Sequence, residues 1–427
     1  MKPQNQKPPL TTPEYFQSLK NVKGLQLGDY PYFALLGHVS SLSMAEIYSM
    51  APDAKVFENN LRETNNRDQI CYLDTLIDAQ KAGSIVFSGQ ILGKLSEKLE
   101  KAEFSEKLEE LLEKGISGGA LVGKKIGFVG LGEKYSKDLI QLGKKIGFKK
   151  IATVTSSLPN YGHLKQVATN WIVFFKHGDI FLVGVVKSSS DQEYWSILDQ
   201  NLPVGEMKRG LINLKLARAM VNLASKNIIY DTMVGAGRLL VSGLDIKKHV
   251  CGSDIDVNCQ SWSNQNIDWA KSFLENYRPN KENPDYKLAK QELFPAQNIL
   301  QFLQTLNQNE SIQEPFSIVT EGWLGKNFSS SVGLEAIQSE QNRVMDLWDQ
   351  VFFLIYRNKN SFLKEIIFCL PFSPLHFQTK KFLETKMTII LDKYGYGPDK
   401  FNILNHRVLY YARKDSQIGH AIIRVRF

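Results

Sequence analysis

Residues Ile228-Ile229-Tyr230-Asp231-Thr232-Met233-Val234-Gly235-Ala236-Gly237-Arg238-Leu239-Leu240-Val241 form an apolar run that breaks at two closely spaced glycines and resumes with helical spacing. The pattern predicts a strand, a tight loop and a helix. Glycine has no Cβ and accepts positive φ, so a loop of this kind lets backbone approach a bound group closely. Gly235-x-Gly237 would open a dinucleotide fingerprint, but Leu240 stands where the third glycine belongs. What remains is Asp231-x-x-x-Gly235-x-Gly237, a loop suited to a nucleoside-like ligand rather than to a pyrophosphate.

A second signal follows in Val250-Cys251-Gly252-Ser253-Asp254-Ile255-Asp256, a short strand ending in acids. A carboxylate at the end of a second strand can accept both ribose hydroxyls of a nucleoside cofactor, and Asp254, with Ile255 beside it, is the candidate. Glycine loops and strand-end aspartates are each common as plain turn chemistry. In this order and spacing they predict a cofactor site, and Asp231-x-x-x-Gly235-x-Gly237 resembles the first motif of S-adenosylmethionine (SAM) methyltransferases.

At 427 residues the chain exceeds what one core usually supports, so two or three domains are expected. No apolar run reaches membrane-spanning length, and the polar start Met1 to Pro13 lacks the apolar core of a signal peptide, so a cytoplasmic protein is expected. Cys71, Cys251, Cys259 and Cys369 are scattered, as are the seven histidines, which predicts reduced thiols and no metal site.

The net charge of +8 is concentrated. Between 121 and 177 stand Lys124, Lys125, Lys134, Lys137, Lys144, Lys145, Lys149, Lys150, Lys165 and Lys176 against only Glu133 and Asp138. Of the totals of 52 basic and 44 acidic residues, the rest of the chain holds 42 of each. An excess confined to one segment is the electrostatic footprint of a nucleic-acid-binding module, although a solvated lysine face is the usual fate of charge runs.

Proline-rich residues 1–27 read as a loose lead-in. A strand at 30–37, a helix from about Ser43 with Glu46 as capping-box partner, and an amphipathic helix from Ser105 to Glu113 predict a small α/β, ferredoxin-like domain over 28–115. Residues 116–190 follow as a basic domain. Its strand at 125–132 carries Gly127, Gly130 and Gly132, but Tyr135 fills the third fingerprint position and the next strand ends at 153–157 without a ribose-binding acid. A phosphate-contacting unit suits these residues better than a dinucleotide site. A linker at 191–208 leads into an α/β domain at 209–427, with helices at 211–223 and 257–276 and strands at 286–290, 316–320 and 366–370. A helix runs to about Asn358 and another spans 379–392, and an antiparallel closing pair of strands is expected at 407–412 and 420–426. The third strand, 286–290, ends at Gln291-Glu292, where Glu292 could meet an adenine amine.

The segment Lys208-Arg209-Gly210-Leu211-Ile212-Asn213-Leu214-Lys215-Leu216-Ala217-Arg218-Ala219-Met220-Val221-Asn222-Leu223-Ala224 resembles the stretch joining the RNA-binding THUMP module to the catalytic domain in tRNA guanine-N2 methyltransferases of the position-10 type. The resemblance implies a Rossmann-like methyltransferase domain with a mostly parallel sheet and an antiparallel last strand, preceded by a small α/β domain and a THUMP-like RNA-binding domain. It also implies SAM as cofactor, tRNA as partner and a guanine amine as acceptor. In that family the fourth strand ends in Asp-Pro-Pro-Tyr, whose acid and backbone carbonyls hold the amine while the aromatic stacks on the base. Here those positions are Glu321, Gly322, Trp323 and Leu324: the acid survives as glutamate, both prolines are gone, and the aromatic comes one place early. An aryl amine is a poor nucleophile because its lone pair is delocalised, so Glu321 is expected to orient it and Trp323 to stack on a flipped base. A catalytically degenerate paralogue that only binds RNA is the alternative. A monomer is expected, with room for a small activating protein partner.

Overall fold

The computed structural model describes residues 30–58, 70–131, 133–154, 170–177, 179–205, 211–277, 291–293, 297–308, 312–325, 333–396, 408–413 and 416–427. They divide into two compact units, one drawn from 1–36, 53–79 and 85–189, the other from 37–52, 80–84 and 190–427. None of the described helices is long and apolar enough to cross a membrane.

In the first unit, strands β1 (Tyr32–Leu36), β2 (Val56–Glu58), β3 (Ile70–Leu73), β4 (Ile85–Ser96), β5 (Lys125–Val129), β6 (Lys150–Val154), β7 (Asn170–His177) and β8 (Ile180–Ser189) form one sheet ordered β2-β3-β1-β4-β8-β7-β5-β6. The boundary expected at 115/116 falls inside this sheet. β4 from one side pairs antiparallel with β8 from the other, from Phe87 to Ser96, so main-chain hydrogen bonds join both stretches into one unit. Helix α2 (Lys101–Ser117) buries Phe104, Leu108 and Leu112 at helical spacing. With Leu139 and Leu142 of α3 (Ser136–Lys145) they cover Ile126, Phe128, Ile172 and Phe174. Gly127 has a packing reason: a Cβ there would stand 2.3 Å from the Trp171 ring.

The second unit includes residues assigned by sequence to the first domain. Helix α1 (Ser40–Met50) begins three residues before Ser43, so Glu46 lies in its middle and closes no capping box. Its buried carboxylate instead accepts from the amides of Gly83 (2.7 Å) and Ser84 (2.8 Å) and from Asn222 Nδ2 (2.6 Å), replacing lost hydration with charge-assisted bonds. These bonds bring 37–52 and 80–84 onto helix α5 (Leu214–Leu223), which follows α4 (Gln192–Gln200).

The rest of the unit alternates β9 (Ile228–Asp231), α6 (Arg238–Asp245), β10 (His249–Gly252), α7 (Val257–Tyr277), β11 (Gln291–Leu293), α8 (Ile299–Thr305), β12 (Phe316–Thr320), α9 (Leu334–Asn358), β13 (Leu363–Phe372), α10 (Phe377–Lys393), β14 (Leu409–Tyr411) and β15 (Gly419–Arg426). The sheet runs β11-β10-β9-β12-β13-β15-β14, parallel except for β15. Neighbouring strand residues point to opposite faces: Ile229, Val319 and Ile367 pack with α5, α6 and α7, whereas Tyr230, Ile318 and Ile366 pack with α8, α9 and α10. This is a doubly wound, Rossmann-like α/β sheet with an antiparallel last strand, as the sequence predicted. β11 occupies 291–293, while 286–290 lie outside the described residues.

Candidate functional site

The order of the sheet reverses between β9 and β12, because successive strands depart from β9 toward β10 on one side and return to β12 on the other. Crevices at such switch points, outside the carboxyl ends of the strands, are where doubly wound sheets bind ligands. Asp231 ends β9, Asp254 follows β10, and Glu321 follows β12, so all three candidate acids stand along that edge.

The glycine loop takes the conformation its residues allow. Gly235 has φ +49° and Gly237 φ +77°, and the Gly237 amide closes a turn onto the Val234 carbonyl at 2.7 Å. A Cβ on Gly237 would stand 2.8 Å from that of Ser263, whereas one on Gly235 would meet nothing within 4 Å. Gly237 is therefore required by packing and Gly235 faces open space. Asp254 ties the loop to β10: Oδ2 accepts the Gly235 amide at 2.9 Å and Oδ1 the Asp256 amide at 3.0 Å. Asn266 on α7 donates to the Ala236 carbonyl at 2.8 Å and to the Val204 carbonyl at 2.9 Å. Ile255 presents an exposed apolar side chain beside Asp254. The hydroxyls of Thr232 and Ser253 are buried without a hydrogen-bond partner among the described residues.

Burial pushes the Asp231 carboxyl up to about 7, against the Thr320 hydroxyl and the Met233 amide that favour its ionised form, with the charges of Asp254 and Glu321 adding to the rise. The next cation, Arg238, is committed elsewhere: its Nε donates to the Ile212 carbonyl at 2.7 Å and its Nη2 pairs with Asp199. The Asp231 carboxyl is thus costly to ionise beside Asp254 and Glu321, so a cation in the crevice would relieve that cost and an anion would add to it.

At the tip of β12, Gly322 has φ +77° and a Cβ there would stand 3.2 Å from Trp348, so the chain turns sharply after Glu321. Glu321 Oε1 lies 2.7 Å from His420 Nε2. Trp323 is 37 % exposed, with the Arg343 guanidinium 5.2 Å from its ring centroid.

No known family model matches the chain, and no curated protein does. Among solved structures, TrmN from Thermus thermophilus is similar at 10 % identity and a TM-score of 0.40, over 93 % of this chain and 99 % of that one. A putative transferase from Pyrococcus horikoshii matches at 13 % identity and a TM-score of 0.31, over 75 % and 98 %. TYW2 from M. jannaschii, solved in complex with AdoMet, matches at 9 % identity and a TM-score of 0.28, over 60 % and 85 %. Superpositions this loose assign no function.

Glu292 stands in β11 opposite Cys251, and its side chain lies outside the described residues. The lysine stretch belongs to the first unit. Lys125 and Lys150 stand opposite each other at the starts of β5 and β6, and the amides of Lys149 and Lys150 both donate to the Lys124 carbonyl. Lys144 and Lys145 end α3 beside them, where a helix C-terminus favours cations. Part of the local excess is cancelled, since Lys145 pairs with Glu109 at 2.6 Å and Lys176 with Glu97 at 2.7 Å, whereas Asp138 is taken up by Lys101 from outside the stretch at 2.8 Å. Lys137 sits at the opposite end of α3. Lys165 and the side chain of Lys134 lie outside the described residues. Among the described residues no group of His, Cys, Asp and Glu is arranged to hold a metal ion.

Sequence reasoning passed over His420, Thr320 and Asn266. Glu321 and His420 are 99 residues apart, so no local pattern links them. Asn266 faces the core from a helix and reads as an ordinary helical position until the glycine loop is seen beside it.

Proposed function

We propose that the second unit binds SAM in the switch-point crevice and transfers its methyl group to the exocyclic amine of a guanine in tRNA. The observation that carries this reading is the gathering of Asp231, Asp254 and Glu321 around an open glycine loop. A further negative charge beside these carboxyls is disfavoured, as a pyrophosphate would be, and a ligand with cationic groups, such as a sulfonium and an ammonium, is favoured. The free approach at Gly235 suits the amino-acid end of that ligand, the remaining lone pairs of Asp254 suit its ribose hydroxyls, and Ile255 gives an apolar surface for its base. When bound, SAM supplies an electrophilic methyl group.

The chain's own residues do the rest. Glu321 accepts an N–H of the target amine and sets the direction of its lone pair, which is catalysis by positioning. Trp323, backed by Arg343, stacks on the base, worth roughly 1 to 3 kcal/mol. In the first unit, Lys124, Lys125, Lys144, Lys149 and Lys150 are close together in the fold and form no ion pair among the described residues, which supports contact with RNA phosphates there.

Tritiated methyl incorporation into undermodified tRNA, followed by nucleoside analysis, tests this. Label should appear as N2-methylguanosine with wild type and fall by about 100-fold with Glu321→Ala, roughly 2.7 kcal/mol of transition-state stabilisation. Tight tRNA binding without incorporation by wild type would refute catalysis and leave a non-catalytic RNA-binding protein.

A further inference from the structure

Glutamate is a demanding choice at a strand tip that must hold a small group in one direction. It has one more rotatable bond than aspartate, and freezing that bond costs rotamer entropy. A partner that fixes the carboxylate beforehand removes that cost from the reaction. His420 is so placed. Its Nε2 lies 2.7 Å from Glu321 Oε1, and the two side chains are only 16 % and 23 % exposed. Oε2 has no hydrogen-bond partner among the described residues and remains free to accept.

The fold delivers His420 to this point by the direction of one strand. β15 is antiparallel to its neighbours, so its first residues, not its last, reach the carboxyl edge where β12 ends. Its start is fixed by Gly419, where a Cβ would stand 2.4 Å from the Phe372 ring and 2.9 Å from the Tyr411 carbonyl. His420 pairs with Pro371 of β13 on one side and Tyr411 of β14 on the other, which holds its backbone from both sides.

We propose that His420 is a positioning residue for methyl transfer: its Nε2–H donates to Glu321 Oε1 and presents Oε2 to the amine of the acceptor base. This rests on the reading of Glu321 as the amine-binding acid. The proton lost by the amine, once its lone pair has formed the bond to carbon and the sulfur has kept the old bonding pair, falls to Oε2, with His420 compensating the carboxylate through Oε1.

The test is a mutant series in the full chain. His420→Ala should lower kcat about tenfold or more while KM for tRNA and calorimetric SAM affinity stay within about twofold. His420→Gln, whose amide N–H reaches where Nε2 lies, should recover most of the rate. The double variant with Glu321→Ala should be no slower than Glu321→Ala alone, because the two residues act as one unit. In 15N spectra of histidine-labelled protein, the protonated Nε2 signal of His420 should be lost or moved by Glu321→Ala. An active wild type with undiminished kcat in His420→Ala, or a His420 signal indifferent to Glu321, overturns the positioning role. A wild type that binds SAM and shows the coupled signal but methylates no tRNA overturns the guanine reading instead.

Discussion

Asp231→Asn should stabilise the second unit by an amount that grows with pH. An aspartate carboxyl ordinarily titrates at 3.8, whereas burial holds that of Asp231 up to about 7 in the folded chain. Between those values the folded state holds a proton that the unfolded state has released, so stability falls as pH rises. The penalty is absent below pH 3.8, grows through the interval, and is complete above 7, at about 4 kcal/mol for a shift of about three units. Asparagine is isosteric and never ionises. Its Oδ1 can still accept the Met233 amide, now 3.1 Å from Asp231 Oδ1, while the lost acceptor for the Thr320 hydroxyl costs about 1 kcal/mol at every pH. The advantage of the variant should therefore rise by about 2 to 3 kcal/mol between pH 5 and pH 8. Urea unfolding followed by tryptophan fluorescence reports it, because five of the six tryptophans lie in residues 190–427. An equal stability difference at the two pH values would mean that Asp231 ionises freely, and the account of a crevice crowded with carboxyls would be wrong.

Asp254→Ala should weaken SAM binding by about 1.5 to 3 kcal/mol, since it removes a charge-assisted acceptor and also frees the Gly235 amide; unchanged calorimetric affinity would exclude Asp254 from the site. Replacing Lys124, Lys144, Lys149 and Lys150 with glutamine should flatten the dependence of log K for tRNA on log salt by about 2 to 4, whereas Lys145→Gln alone, already paired with Glu109, should hardly change it. An unchanged slope in the fourfold variant would make these lysines a solvated face. Gly83→Ala should destabilise the second unit by more than about 2 kcal/mol in chemical denaturation, because its Cβ would stand 1.9 Å from the Lys215 carbonyl of α5; wild-type stability would show that this packing is looser than described.

Local chemistry made much of this protein legible from its residues. The glycines of the loop, the acid after β10 and the apolar alternation of the strands each state their own conformational preference. The helix at 257–277, the end of the helix at Asn358 and the glycine loop therefore stand close to where the sequence places them. Short, charged or interrupted segments carry less periodic signal, and the strand at 291–293 is of that kind.

What only the tertiary structure decided are the relations between distant segments. Glu46 looked like a helix-capping residue because its spacing from Ser43 fits one, yet it bonds to Gly83, Ser84 and Asn222, residues that no local rule connects to it. The basic stretch looks uniformly unbalanced until Glu97 and Glu109 are folded against it. His420 gave no signal at all, since its role depends on an antiparallel strand bringing it back to Glu321. A sequence fixes the torsional and hydrophobic preferences of each segment. Which charges and hydrogen-bonding groups then meet is set by sheet order and strand direction, and those follow from burying all the segments at once.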